Sequence, residues 1–200
     1  MVKNIIFDFG DIFIDLDKAA TAREMEAFGF TSITPELQII LNTYEKGLIS
    51  SEDFLSKMGH IFPMANKNSL RFAWNAIILK FPEDRLKFIE ALAKKKQYRL
   101  FLLSNTNALH IEKVIEHMTL DRYLRFQQCF EKFYLSHEIH LRKPDSEIYE
   151  FVLKENRLKA SETLFIDDTK ENTDAASQVG IKTWNLLVGQ EDIVQLKSKL

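Results

Sequence analysis

Asp8 closes a short apolar run, N-I-I-F-D-F, at Asn4–Phe9. Ser104-Asn105-Thr106-Asn107 closes a second run, Tyr98–Ser104, and Asp167-Asp168 closes another, Thr163–Asp167. Asn172 follows Asp168 by four positions, and Arg142-Lys143-Pro144-Asp145 precedes a helical pattern. Each piece taken singly has a plain structural use. A lone Asp caps a helix or forms a turn, Ser-Asn-Thr-Asn makes a loop, and Lys143 before a proline is a solvated charge. Together they suggest chemistry. Two or three carboxylates around one point repel unless a cation joins them, and oxygen ligands suit a hard divalent ion such as Mg²⁺. A lysine and a serine hydroxyl beside them offer donors to phosphate oxygens. A carboxylate is also a competent covalent nucleophile.

Such a site needs elements that bring distant residues to one edge. The runs Asn4–Phe9, Tyr98–Ser104, Phe130–Ser136, Thr163–Asp167 and Lys182–Val188 are apolar without alternation, as strands buried on both faces of a parallel sheet are. Helical periodicity appears at Asp84–Lys96, Ser146–Asn156 and Asn172–Val179, the last ending at Gly180. Alternating strand and helix predicts an α/β fold with a doubly wound parallel sheet. In such sheets, ligands gather outside the carboxyl ends of the strands, where Asp8, Ser104 and Asp167-Asp168 fall.

Between Lys18 and Phe81 only helical patterns occur: Ala19–Ala27, Pro35–Glu45, Ser51–Met58 and Ser69–Leu79. Ser50 or Ser51 with Asp53 reads as a helix start, and Pro35 suits a first turn. This stretch is expected to be an all-helical insert in the first crossover. The predicted division is residues 1–15 with 86–200 for the sheet domain, and 16–85 for the insert.

Composition narrows the class. The chain has 200 residues, 46% apolar and 28% charged, the make-up of a globular protein with a sizeable core. The formal charge of −2 offers no electrostatic case for nucleic acid or an anionic membrane as partner. Cys129 is the single cysteine, so an internal disulfide and a cysteine metal cluster are excluded; it reads as a small buried apolar residue. No signal-peptide pattern and no apolar run long enough to cross a membrane is found, so a soluble, cytoplasmic protein is expected. The Phe residues number 16 and are scattered, as core fillers are.

Four stretches carry a family resemblance: F-D-F-G-D-I-F-I-D at Phe7–Asp15, L-L-S-N-T-N at Leu102–Asn107, R-K-P-D at Arg142–Asp145, and F-I-D-D-T-K-E-N at Phe165–Asn172. In this order and spacing they resemble the haloacid dehalogenase superfamily of hydrolases, and most the bacterial branch that includes sugar-phosphate phosphatases such as glucose-1-phosphate phosphatase. Each motif alone is common; the ordered set carries the resemblance, which covers essentially the whole chain. It implies a Rossmann-like core with a small helical cap. It implies a Mg²⁺-dependent phosphatase acting on a small phosphorylated metabolite. By resemblance, Asp8 is the nucleophile and a metal ligand, and Gly10 lends its carbonyl to the metal. Ser104 and the Asn105 backbone N–H hold the phosphoryl group, and Lys143 neutralises charge. Asp168 is a direct metal ligand, Asp167 assists directly or through water, and Asn172 orients the acidic pair.

One position departs from the pattern. Most phosphatases of the superfamily carry a general acid-base Asp two residues after the nucleophile; here that residue is Gly10. Loss of such a group removes a factor of about 10²–10⁴. The glucose-1-phosphate phosphatase branch also has glycine there, and a good leaving group such as an anomeric or aryl phosphate needs less protonation. Asp11 is the nearest carboxylate and is expected to point elsewhere, while Asp15 is expected to cap the turn into the insert. His60, His110, His117, His137 and His140 match no metal spacing and are expected at the surface or behind the site. Trp74 and Asn75 are candidates to face the site, with packing inside the cap the plainer role for Trp74. Two other functions stay open: an inactive phosphate-binding or interaction module, motivated by Gly10, and a metal-independent 2-haloacid dehalogenase, against which Asp167-Asp168 speaks.

Overall fold

The computed structural model describes residues 1–200. Its strands are β1 (Asn4–Phe7), β2 (Arg99–Ser104), β3 (Lys132–Leu135), β4 (Thr163–Asp167) and β5 (Lys182–Asn185). They form one sheet in the order β3-β2-β1-β4-β5, with every neighbouring pair parallel. The order reverses between β1 and β4, and the crevice above such a reversal is where open α/β sheets bind ligands.

The apolar runs are continuous because both faces of the sheet are covered. Ile5 and Phe7, Leu100 and Leu102, Leu164 and Ile166 point to one face and join one core cluster. Ile6, Phe101, Leu103 and Phe165 point to the other and join a second. The period is still two residues, but each face has its own helical layer. The first layer comprises α5 (Glu83–Lys95), α6 (Ala108–Met118), α7 (Leu120–Gln127) and the C-terminal 3-10 segment Ile193–Lys199. The second comprises α9 (Ser146–Glu155) and α10 (Lys170–Gln178). A single turn, α8 (Ser136–Ile139), follows β3 directly.

Between β1 and α5 lie α1 (Ala20–Glu26), α2 (Pro35–Glu45), α3 (Ser51–Ile61) and α4 (Lys67–Asn75). Thr34, Ser50 and Asn66 cap α2, α3 and α4, each side chain accepting a backbone N–H of the first turn. Their apolar faces build a third core cluster around Tyr44, Phe54 and Leu70, which also takes in Leu109 of α6. The Tyr44 and Phe54 rings stack at 4.1 Å.

Three details differ from the sequence reading. The 108–127 stretch, left unassigned by periodicity, holds α6 and α7; Asn107 caps α6 by accepting the His110 N–H. α4 stops at Asn75, not Leu79, because the chain then turns back beside its own entry into the insert. Asp15 N–H donates to Lys80 O at 3.0 Å, Leu79 N–H to Asp15 O at 3.1 Å, and Asp17 N–H to Ile77 O at 2.9 Å. This antiparallel pairing ties the two connections together. Asp15 does not cap a turn: its side chain accepts from Arg85 at 2.9 Å, and Arg85 also holds Asp192 at 2.9 Å.

Candidate active site

Register brings the acids together. Phe7 of β1 pairs with Ile166 of β4, so the next residues, Asp8 and Asp167, leave the sheet side by side. Carboxylate oxygens of Asp8, Asp167 and Asp168 lie within 4.8 Å of one another. Asn185, paired with Asp167 across β5, donates to the Asp168 carbonyl at 2.8 Å and steadies that turn.

Lys143 reaches the acids from the loop before α9. Asn105, just past β2, pins that loop twice: its Nδ2 donates to Lys143 O at 2.8 Å, and its Oδ1 accepts Lys143 N–H at 2.8 Å. The Lys143 side chain is 1% exposed, and Nζ lies 2.6 Å from both Asp8 Oδ1 and Asp167 Oδ2. Burial alone would lower the lysine's pKa, but Asp167 and Asp8 outweigh it and the net shift is upward. Burial, reinforced by Asp167 and Asp168 and opposed by Lys143, pushes Asp8 up to about 7. Asp168 is also raised, chiefly by burial.

The two adjacent acids are not equivalent. Asp167 is fully buried and saturated: Thr169 N–H donates at 2.8 Å, Asn172 Nδ2 at 3.1 Å to each oxygen, and Lys143 at 2.6 Å. Asp168 bonds only Lys18, through Oδ2, and Asp8 bonds only Lys143, through Oδ1. Asp8 and Asp168 line a cavity of about 720 Å³ between sheet and insert, together with Gly10, Asn105, Lys143 and Asn172; Asp167 lies behind it. An all-oxygen donor set with free carboxylate oxygens fits a hard divalent cation.

Ser104 is buried at the end of β2 and does not reach the cavity wall; its hydroxyl makes one 3.5 Å contact, to Asn105 O. At Gly10, an added Cβ would stand 2.7 Å from Leu16 Cδ1 and 4.0 Å from Asp8 Oδ2. Leu16 therefore fills the space in which a side chain at position 10 would stand. Asp11 does not line the cavity but stays beside the acids: it is buried with φ 54, accepts Leu16 N–H at 3.0 Å and pairs with Lys18 at 3.0 Å.

Lys18 is a site residue that sequence reasoning missed. Its ammonium joins Asp11 to Asp168 at the edge of the acidic cluster. No motif marks it, because its place depends on how the chain enters the insert.

None of the histidines joins the acids. His110 is partly buried between α4 and α6, with Nε2 3.1 Å from Trp74 O and Nδ1 3.1 Å from Asn107 Nδ2. Burial lowers its pKa to about 4, so the ring is neutral at ordinary pH. Trp74 donates to Asn107 Oδ1 at 3.2 Å and lines a mainly apolar chamber of about 240 Å³ that adjoins the acidic cavity, the two sharing Lys18, Glu45 and Ile77 in their walls. Asn75 faces a different surface cleft, with Asn68 and Lys113.

Comparison with known proteins places this geometry in context. The family model described as Haloacid dehalogenase-like hydrolase matches residues 5–186. The chain is 27% identical over 190 residues to a D-ribitol-5-phosphate phosphatase of Bacteroides thetaiotaomicron, spanning 92% of this chain and 91% of that one. A HAD family enzyme from the same organism, solved with magnesium and inorganic phosphate, superposes with a TM-score of 0.79 at 30% identity, over 96% of this chain and 97% of that one. A predicted HAD-like hydrolase from Porphyromonas gingivalis superposes with a TM-score of 0.82 at 27% identity, over 100% and 98%.

Proposed function

The chain belongs to the haloacid dehalogenase-like hydrolase family, and we propose that within it the protein is a Mg²⁺-dependent phosphatase of a small sugar or sugar-alcohol phosphate, working through a phosphoryl group on Asp8. The observation that carries this reading is the buried triangle of Lys143 with Asp8 and Asp167, beside the free oxygens of Asp8 and Asp168. Similarity to a D-ribitol-5-phosphate phosphatase and to a magnesium and phosphate complex supports the substrate class and the metal.

Asp8 Oδ2, which accepts no hydrogen bond, attacks phosphorus while the P–O bond to the leaving group breaks and its electron pair goes to the ester oxygen. Lys143 meets the charge on the equatorial phosphoryl oxygens, and the Asn105 backbone N–H holds the group. Ser104, expected by resemblance to share that role, lies behind the cavity wall and reaches the phosphoryl group only if its hydroxyl swings forward on binding. Water then attacks phosphorus and gives up its proton to solvent, the Asp8–phosphorus bond breaks, and the carboxylate is restored beside free phosphate. The ester oxygen expelled in the first step takes its proton from solvent as well, since position 10 carries no acid or base. Asp8 and Asp168, with the Gly10 carbonyl, would hold the metal, and Asp167, saturated by its donors, would assist from behind them while it positions Lys143. Bound there, Mg²⁺ would neutralise charge on the carboxylates and on the phosphoryl oxygens.

Because position 10 offers no acid, the leaving oxygen departs with little help. Across a series of substituted aryl phosphates, kcat/KM is expected to climb steeply as the leaving phenol becomes more acidic. A flat series would mean that another group, such as Lys18 on the cavity wall, protonates the leaving oxygen.

The acids also set a pH dependence. In the metal-free protein Asp8 titrates near 7 rather than at its ordinary 3.8. Below about pH 4 both folded and unfolded chains hold this proton, and the group's contribution to stability is fully present; it is lost as the pH rises to about 7. Magnesium opposes that loss but competes with the proton. Its thermal stabilisation should therefore be larger near pH 8 than near pH 5, reaching about 2.7 kcal/mol at a hundredfold excess over Kd. An equal shift at both pH values in thermal melts would remove Asp8 from the metal site. The test of the function itself is a phosphate-release screen over sugar and sugar-alcohol phosphates with Mg²⁺ and with chelator. Release that requires the metal is expected; no turnover of any phosphate ester would leave the inactive-module reading.

A further inference from the structure

The two faces of α2 do different work. Leu37, Leu41 and Tyr44 pack into the insert's own core. Gln38, Asn42 and Glu45, at positions i, i+4 and i+7, form one polar stripe on the other side. All three line the 720 Å³ cavity together with Asp8, Lys143 and Asp168, and Leu16 and Ile77 are its only hydrophobic lining residues. The polar side of an amphipathic helix ordinarily faces bulk water; this one faces the space left for the leaving group.

The stripe is also held at a set distance from the nucleophile. Arg142, the neighbour of Lys143, donates to Glu45 at 3.0 Å, and Lys46 pairs with Asp145 at 3.0 Å. The His140 ring donates from Nδ1 to Lys46 O at 2.8 Å, and the Ser136 hydroxyl lies 2.7 Å from Glu45 O. Gly47 has φ 64, and a Cβ there would stand 1.9 Å from His137 O, so backbone meets backbone at this junction. The C-terminal end of α2 is thereby fastened to the loop that supplies Lys143.

We propose that Gln38, Asn42 and Glu45, with Arg142, read the hydroxyl groups of a polyhydroxylated leaving group. This rests on the phosphatase reading above and adds the recognition residues. A hydroxyl is both donor and acceptor, and amides answer both needs. Gln38 Nε2 donates to Asn42 Oδ1 at 2.9 Å, which orders the pair and leaves Gln38 Oε1 to accept and Asn42 Nδ2 to donate. Glu45 Oε1 and the remaining Arg142 N–H groups extend the same pattern. A leaving group without hydroxyls strands these groups, which is how such a site discriminates.

The test compares Gln38→Leu and Asn42→Leu with wild type on pentitol 5-phosphates and aldose 1-phosphates, each measured against p-nitrophenyl phosphate. Each variant is expected to lower the ratio of kcat/KM values, hydroxylated over aryl, by about tenfold. A misfolded fraction lowers both activities alike and leaves the ratio unmoved, so a changed ratio reports recognition. An unchanged ratio in both variants overturns the proposal. So does a wild type that prefers prenyl phosphates, whose leaving oxygen is an alkoxide like that of the sugar alcohols, over every hydroxylated ester, which would assign the leaving group to the apolar chamber lined by Trp74 and Phe62. No turnover of p-nitrophenyl phosphate or any other ester by wild type would overturn the phosphatase reading first, and this inference with it.

Discussion

Lys143→Met is expected to cost about 3–5 kcal/mol of stability, because removing one partner of a buried ion pair leaves charge uncompensated. For a chain of this size that is a fall in Tm of about 6–20 °C. The lysine is 1% exposed and separates two carboxylates, each 2.6 Å from its nitrogen. Methionine fills much of its volume but offers nothing to either acid. Asp8, already raised to about 7 with the lysine present, would be pushed higher without it. The sign of the pH effect follows. With the lysine gone, the acids repel most when both are ionised, so the loss in Tm should be greatest above neutrality and shrink toward about pH 5 as Asp8 is protonated. Activity is expected to fall about 10³-fold even in the folded fraction, since a preorganised charge facing the phosphoryl oxygens is removed. Thermal melts at two pH values, with phosphate release on the same samples, check both. A Tm within about 2 °C of wild type would mean that the triangle is not the strut described here.

Asp8→Asn is expected to abolish turnover, by at least about 10⁴-fold, because the covalent route loses its nucleophile. The amide is nearly isosteric, and Lys143 keeps Asp167, so the fold should be retained. The metal-free variant should be as stable as wild type or more so, since one of three crowded carboxylates has become neutral. Its thermal gain from Mg²⁺ should shrink at the same time. Lost activity with retained stability separates a catalytic group from a structural one. An Asn variant within tenfold of wild type would require a different nucleophile.

Much of this site was legible because its residues end strands. A buried parallel strand reads as an apolar run, and the polar residue that ends it stands at the sheet's carboxyl edge. Asp8, Ser104 and Asp167-Asp168 were visible in this way, and Lys143 through its motif. What periodicity did not convey was depth. Asp167 and Asp168 are adjacent in sequence, yet Thr169, Asn172 and Lys143 close around the first while the second faces the cavity. Ser104 ends β2 as read but stops short of the cavity wall.

The insert was harder to read. Its four helices were recognisable from their apolar faces and caps, but what they present to the site depends on packing between elements. Lys18 follows the antiparallel entry of the chain into the insert, and the Gln38–Asn42–Glu45 stripe follows the fastening of α2 beside Lys143. α6 and α7 were overlooked although Asn107 carried a cap signal and Leu109, Val114 and Met118 a helical period. The polar run before them drew attention to a loop and away from the helix it begins.

The central claim is that Asp8 carries the phosphoryl group. A single turnover of an aryl phosphate with Mg²⁺, quenched in acid and followed by peptide mass analysis, tests it most directly. The expected result is the mass of one phosphoryl group on the peptide containing Asp8, absent from Asp8→Asn. A phosphoryl group on any other residue, or phosphate release by Asp8→Asn at the wild-type rate, would contradict it.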